Sequence, residues 1–226
     1  MNKPVSIKSF WNMIYLVMTT PLDKNTAQAL NSLYEENFPP HDRRTESDFF
    51  YQLARSKRIS ILTSTPDEPI EKVPYLHNSH GLNLIHMIRS SIKGPIIGFS
   101  ITWEMPGWVF IEHICISSKA QGQGLGTRLM QYLLTRYSGH PVVLEIENPD
   151  GHANDSPNYK RVRFYERLLF ERVPNSHFTP IYPGQQEPQN LILMTHPNDS
   201  DSIPSLDQMH SLILSQVYEA VPEITG

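Results

Sequence analysis

Two glutamates, Glu145 and Glu147, alternate with Leu144 and Ile146 in the run VVLEIEN at 142–148, and a third, Glu112, precedes His113 in FIEHICIS at 110–117. Side chains of an extended strand point alternately to its two faces, so Glu145 and Glu147 share one. Grouped carboxylates attract a cationic amine. A carboxylate whose pKa is raised by burial or by like-charged neighbours can then take a proton from that amine. His113 could shuttle a proton, yet a single histidine on a strand is more often a satisfied structural residue. The competing reading of the carboxylates is a salt-bridged strand face, with Arg161 or Arg163 as partner.

A second constellation follows the strand that carries Glu112. In QGQGLG at 121–126, Gly122, Gly124 and Gly126 stand between an apolar run and an apolar-periodic segment. A glycine-rich turn that opens a helix gathers outward-pointing N–H groups at the positive end of the helix dipole, a site for phosphate that needs no basic side chain. The spacing is Gly-x-Gly-x-Gly. It fits neither Gly-x-x-x-x-Gly-Lys-[Ser/Thr] nor the dinucleotide fingerprint, whose acidic residue would fall near position 140, a histidine here. ATP binding through this loop is therefore disfavoured.

The elements that must position these groups are legible from periodicity and punctuation. Residues 13–19 read as a buried strand. A helix capped by Asp23 or Asn25 runs to about Phe38, Pro39-Pro40 stops it, and Thr45 caps a second helix with Asp48 three residues on. A short strand at 59–62 and a proline-rich excursion at 63–80 follow. Strands at 82–88, 95–103 and 108–116, joined by short turns, form an antiparallel meander. Then come a helix at 127–137, a strand at 141–147, a helix at 156–168 opened by Ser156-Pro157, and a strand at 190–195. Leu206, Met209, Ile213, Val217 and Ala220 repeat at helical spacing, and this terminal stripe is expected to pack back on the domain.

Composition narrows the function. The chain has 226 residues, a formal net charge of −4, ten histidines and one cysteine. A slightly acidic chain is a poor partner for a phosphate backbone, so no nucleic acid is expected. Cys115 cannot form an internal disulfide, no histidine shows metal-ligand spacing, and no metal is expected. The apolar segment at 10–18 is too short for a membrane span of about 20 residues and lacks a cleavage site, so the expected location is cytoplasmic, without a membrane partner.

Two segments together resemble one family. Gln121-Gly-Gln-Gly-Leu-Gly126 is similar to the [Gln/Arg]-x-x-Gly-x-[Gly/Ala] pyrophosphate loop of the GNAT acetyltransferases. Asn158 to Phe170 is similar to that family's Asn-x-x-Ala-x-x-Phe-Tyr-x-x-x-Gly-Phe segment, with Arg161 where a small residue is usual and Leu169 where Gly is usual. The resemblance covers 13–196. It implies a mixed α/β GNAT fold: a mostly antiparallel sheet of six or seven strands, splayed after the fourth, with about four helices plus the C-terminal one. The domain would span 1–197, with a polar linker and helix at 198–226.

The same resemblance implies acetyl-CoA as co-substrate. Gln121, Gly122, Gln123, Gly124, Leu125, Gly126 and Thr127 would hold its pyrophosphate, Ile114, Cys115 and Ile116 its pantetheine, and Asn158, Arg161 and Phe164 would complete the cofactor side. Tyr165 takes the general-acid position. Glu145 matches in register a glutamate that serves as base in bacterial ribosomal-protein N-terminal acetyltransferases, with Glu112 the next candidate. Acceptor contacts would come from the elbow with Phe38, Arg43 and Arg44, from Glu147, and from Tyr182 in the last loop. The expected reaction is direct transfer to a primary amine of a small molecule, by a monomer or homodimer. A protein or peptide amine is the alternative acceptor, and an inactive acyl-CoA-binding sensor the alternative class.

Overall fold

A computed structural model describes residues 14–18, 23–55, 58–63, 82–89, 94–182 and 185–218. The excursion expected at 63–80 lies outside them apart from Thr63. Among the described residues eight strands form one mixed sheet: β1 (Ile14–Met18), β2 (Arg58–Thr63), β3 (Leu82–Arg89), β4 (Ile96–Met105), β5 (Trp108–Ile116), β6 (Val142–Glu147), β7 (Glu171–Arg172) and β8 (Leu191–His196). Their spatial order is β1-β2-β3-β4-β5-β6-β8-β7. The pairings β2–β3 and β5–β6 are parallel and the others antiparallel. The two-residue strand β7 is the element that the sequence reading lacks, because so short a strand has no periodicity of its own.

Among the described residues five α-helices cover the sheet: α1 (Lys24–Asn37), α2 (Glu46–Arg55), α3 (Leu125–Arg136), α4 (Pro157–Glu166) and α5 (Leu206–Ile213), the last continuing as a π-helical turn, Leu214–Tyr218. Their starts follow local chemistry. Asp23 accepts from the N–H of Thr26 at 2.9 Å, Thr45 from that of Asp48 at 3.3 Å and Ser156 from that of Tyr159 at 3.3 Å, each satisfying an otherwise orphaned donor of the first turn. Ser205 and Gln208 form a reciprocal capping box at α5.

Alternation along the strands divides the core between the two faces. Val142, Leu144 and Ile146 of β6 pack with Leu129 and Leu133 of α3 and Val162 of α4. Val143 points the other way, to a cluster with Trp103, Phe110, Leu193 and the α5 residues Met209 and Ile213. Helices α1 and α2 bury Leu30, Tyr34, Phe49 and Leu53 against β3, β4 and Cys115 of β5. Glu145 and Glu147 share the parity of Val143.

Two irregularities of β5 shape the site. Its pairing with β6 is confined to Val109–Ile111 against Val142–Leu144, so the sheet opens from Glu112 onward. With β2 counted, that opening follows the fifth strand. The register against β4 also shifts, Ile101 facing His113 and Thr102 facing Ile111, which makes Glu112 the extra residue of a bulge.

Candidate active site

The opening between β5 and β6 is the floor of a cavity of about 700 Å³ that connects the two faces of the sheet. At one side it is bordered by the turn before α3. Gly122 and Gly124 hold φ of 76° and 74°, left-handed values, and Gly124 is the N-terminal cap of α3. A Cβ at either would meet nothing within 4 Å, so here glycine serves conformation rather than space. Gly126 is an ordinary helical residue whose Cβ would lie 3.6 Å from the Phe164 ring. Gln121 closes the turn by donating from Nε2 to the carbonyl of Ile116 at 3.0 Å. The turn, a dipolar helix start and an adjoining unpaired strand edge suit a long ligand with an anionic segment.

Of the cofactor residues expected from sequence, the cavity lining contains all except Gln123 and Asn158. Arg161 is among them, its guanidinium 2.9 Å from Oε2 of Glu147 and about half exposed. Cys115 borders the cavity, but its thiol is buried and its pKa is pushed far up by that burial. Tyr165, on α4, lines the same space with a phenol that burial raises to about 12.

The three glutamates are in different states. Glu112 is buried and receives four donors: Nε and Nη2 of Arg44 on Oε1, at 3.1 and 2.8 Å, and the side chains of Gln52 and Trp103 on Oε2, both at 2.7 Å. Burial alone would raise its pKa, but the Arg44 charge and the hydrogen bonds from Trp103 and Arg44 outweigh it and hold the carboxyl below its ordinary value. Glu145 is raised to about 8, chiefly by burial, with Glu112 and Asp42 adding repulsion against the lowering effects of Tyr218 and Arg44. Its Oε1 accepts from the Tyr218 hydroxyl at 2.7 Å, while Oε2 is buried without a hydrogen-bond partner among the described residues. Glu147 pairs with Arg161 and lies close enough to Asp42 to raise that carboxyl to about 6, after burial.

His113, beside Glu112, is a neutral core residue. Burial takes its pKa down to about 4, and Nε2 lies 2.9 Å from the Tyr34 hydroxyl, which itself accepts the backbone N–H of Arg44.

Among the acceptor residues expected from sequence, Phe38, Glu147 and Tyr182 line the cavity. Arg43 and Arg44 do not. Arg43 turns toward Glu35, at 3.8 Å, and the guanidinium of Arg44 donates from Nε and Nη2 to Glu112 and from Nη2 to the carbonyl of Val217. Asp42, in the elbow, and Gln189, at the end of the last loop, lie in the two segments that the sequence picks for acceptor contacts, and both line the cavity, whereas Tyr218 is missing from the sequence reading. Asp42 ends a three-residue 3-10 turn, Pro40–Asp42, and Gln189 stands in a loop, neither carrying periodicity, and the only signal for Tyr218 is the helical stripe that precedes it.

The loops around this end are tied together, Gln185 donating to the carbonyl of Arg43 at 2.9 Å and Gln189 to that of His41 at 3.4 Å. Among the described residues no group of His, Cys, Asp and Glu could hold a metal ion, and no helix is long and apolar enough to cross a membrane.

Comparison with known proteins agrees with this architecture. A GNAT-family protein of known structure from Bacteroides thetaiotaomicron superposes with a TM-score of 0.62 over 89% of this chain and 98% of its own, at 19% identity, a likeness of fold. The ribosomal-protein-S18-alanine N-acetyltransferase of Escherichia coli superposes with a TM-score of 0.48 at 17% identity, over 85% and 97% of the two chains. The Bacillus subtilis protein YjbC, which its name assigns to the acetyltransferases, is 35% identical over 70 residues, 31% of this chain. The match spans about a third, 34%, of YjbC. A model of the acetyltransferase (GNAT) family matches residues 28–170, well over half of the sequence. With the glycine turn at the head of α3 and the opened β5–β6 pair both inside that span, the chain belongs to the GNAT family of acetyltransferases.

Proposed function

We propose that the protein moves the acetyl group of acetyl-CoA directly to a primary amine of a small cationic molecule, with Glu145 as general base and Tyr165 as general acid. The observation that carries this reading is the state of Glu145: a carboxylate at the cavity wall with a raised pKa, one oxygen held and the other unpartnered. Such a group is ionised in useful proportion near neutral pH and basic enough to accept an ammonium proton. Glu112 is assigned a counter-charge role for Arg44, since both its oxygens are filled and its proton affinity is lowered.

The residues present suit acetyl-CoA. The N–H groups from Gly122 to Thr127 would hold the pyrophosphate, and the strand edge at Ile114–Ile116, which has no β6 partner, would take the pantetheine as an added strand. When bound, acetyl-CoA supplies an acyl carbon on a good leaving group. The chain's own part is proton traffic and exclusion of water. As the N–C bond forms and the C–S bond breaks, Oε2 of Glu145 takes the proton leaving nitrogen, and the Tyr165 hydroxyl donates one to sulfur. Cys115, buried and held as a thiol, is unsuited to an acyl-enzyme route, which favours direct transfer.

Asp42 and Glu147 make the acceptor end acidic, with Arg161 as a facing cation, and Glu145 adds negative charge as the pH approaches about 8. The ties from Gln185 and Gln189 to the elbow roof that end and favour a compact acceptor over an extended chain.

The test is thiol release from acetyl-CoA over diamines, amino-acid amides and short peptides. Small cationic amines are expected to turn over fastest, and a preference for peptides would transfer the assignment to protein or peptide ends. Binding without release above hydrolysis for any amine would identify an acyl-CoA sensor. Binding itself is read by melting: acetyl-CoA at about 100 times Kd adds about 2.7 kcal/mol.

A further inference from the structure

Tyr218 lies beyond the span that the family model matches, in the π-helical turn after α5. We infer that Tyr218 is a positioning residue for the transfer: its hydroxyl holds Oε1 of Glu145 and so presents Oε2 to the acceptor amine. The inference rests on the reading of Glu145 as the base.

Contacts from separate elements fix that hydroxyl. The Tyr218 ring is buried and stacks on Tyr182, with centroids 4.7 Å apart at an interplanar angle of 29°. The neighbouring carbonyl, that of Val217, accepts from Nη2 of Arg44, whose guanidinium also lies 4.9 Å from the centroid of Tyr182. The Val217 side chain is fully buried against the α5 face of the sheet. The phenol is therefore anchored before any ligand arrives, and its donation to Oε1 at 2.7 Å removes one of the two oxygens from competition. The other oxygen is buried and has no hydrogen-bond partner among the described residues, in a residue that lines the cavity.

The alternation of β6 puts Glu145 on the face that α5 covers, which is why a residue 73 positions away can reach it.

The donation also sets charge. Facing Glu145 are Glu112 on β5 and Asp42 in the elbow, which repel its ionised form. Arg44, ahead of α2, attracts it. The phenols of Tyr182 and Tyr218 stay neutral, since burial lifts both well above the ordinary tyrosine value. Against burial and two carboxylates, the Tyr218 hydroxyl is the nearest group favouring the carboxylate.

Tyr218→Phe keeps the ring and removes only the hydroxyl. In protein carrying 13C at the glutamate carboxyls, with Glu145→Gln to assign the resonance, the Glu145 midpoint is expected to move upward by about one unit or more. The acidic limb of kcat/KM for thiol release, measured with the best small amine of the panel, moves the same way, while KM for acetyl-CoA is unchanged. A folded Tyr218→Phe protein with an unmoved midpoint overturns the inference.

A measurement without substitution stands beside it. In the parent protein labelled at tyrosine Cζ, the Tyr218 signal follows the Glu145 midpoint near pH 8, and its indifference to that titration is equally fatal. Wild-type turnover by Glu145→Gln would instead remove Glu145 as the base, even if both titrations came out as expected.

Discussion

Glu145 and Glu112 are the same residue type on adjoining strands, and their surroundings make them opposite in behaviour. Four donors surround Glu112, while Glu145 has one donor and repulsive neighbours. Glu145→Gln and Tyr165→Phe are each expected to lower kcat by about 10²–10⁴ with CoA binding intact, read from thiol release and CoA titration. The raised carboxyl has a further consequence for stability. Its folded pKa, about 8, lies above the ordinary 4.5, so the folded state holds a proton that the unfolded chain gives up. That contribution is full below about pH 4.5 and is lost as the pH rises through about 8. Denaturant unfolding at pH 5, 7 and 9 should show the parent losing stability relative to Glu145→Gln as the pH rises. At the cofactor end, Gly124→Ala forces a Cβ into a left-handed φ of 74°. A loss of about 1–2 kcal/mol in unfolding free energy is expected, together with weaker CoA binding.

At the scale of elements, helix starts and strand parities were readable because caps and alternation depend on near neighbours. Ser156, Pro157 and Thr45 announce their helices, and Glu145 shares a face with Glu147 by spacing alone. The bulge at Glu112 was not readable, since an extra residue in a strand appears only in its register with a partner. Leu169 shows a departure from pattern carried into geometry. It follows α4 at a φ of 65° and is 72% exposed, while Phe170 N–H closes the helix end on the carbonyl of Tyr165. A left-handed leucine costs about 1–2 kcal/mol, and glycine's greater chain entropy opposes its relief by about 0.5–1 kcal/mol. Leu169→Gly is therefore expected to raise unfolding free energy by about 0.5–1 kcal/mol, and a drop in melting temperature would show that the leucine packs on something.

For the molecule as a whole, the segment after the polar stretch at 198–204 is part of the core and reaches a cavity-lining residue at once. Met209, Ile213 and Val217 are buried with Trp103, Phe110 and Leu193, and Tyr218 reaches Glu145. Ile213→Ala is expected to cost about 2–5 kcal/mol in denaturant unfolding, comparable with truncation in any well-packed core. By itself the sequence determined the glycine turn, the helix caps and the shared face of the two glutamates, each carried by residues close together along the chain, and the family, carried by two short segments at 121–126 and 158–170. Only the tertiary structure decided which carboxylate is left with an unpartnered oxygen. The donors that fill Glu112 come from 68, 60 and 9 positions away and the one that holds Glu145 from 73, and hydrogen-bond partners at such separations are set by packing rather than by spacing.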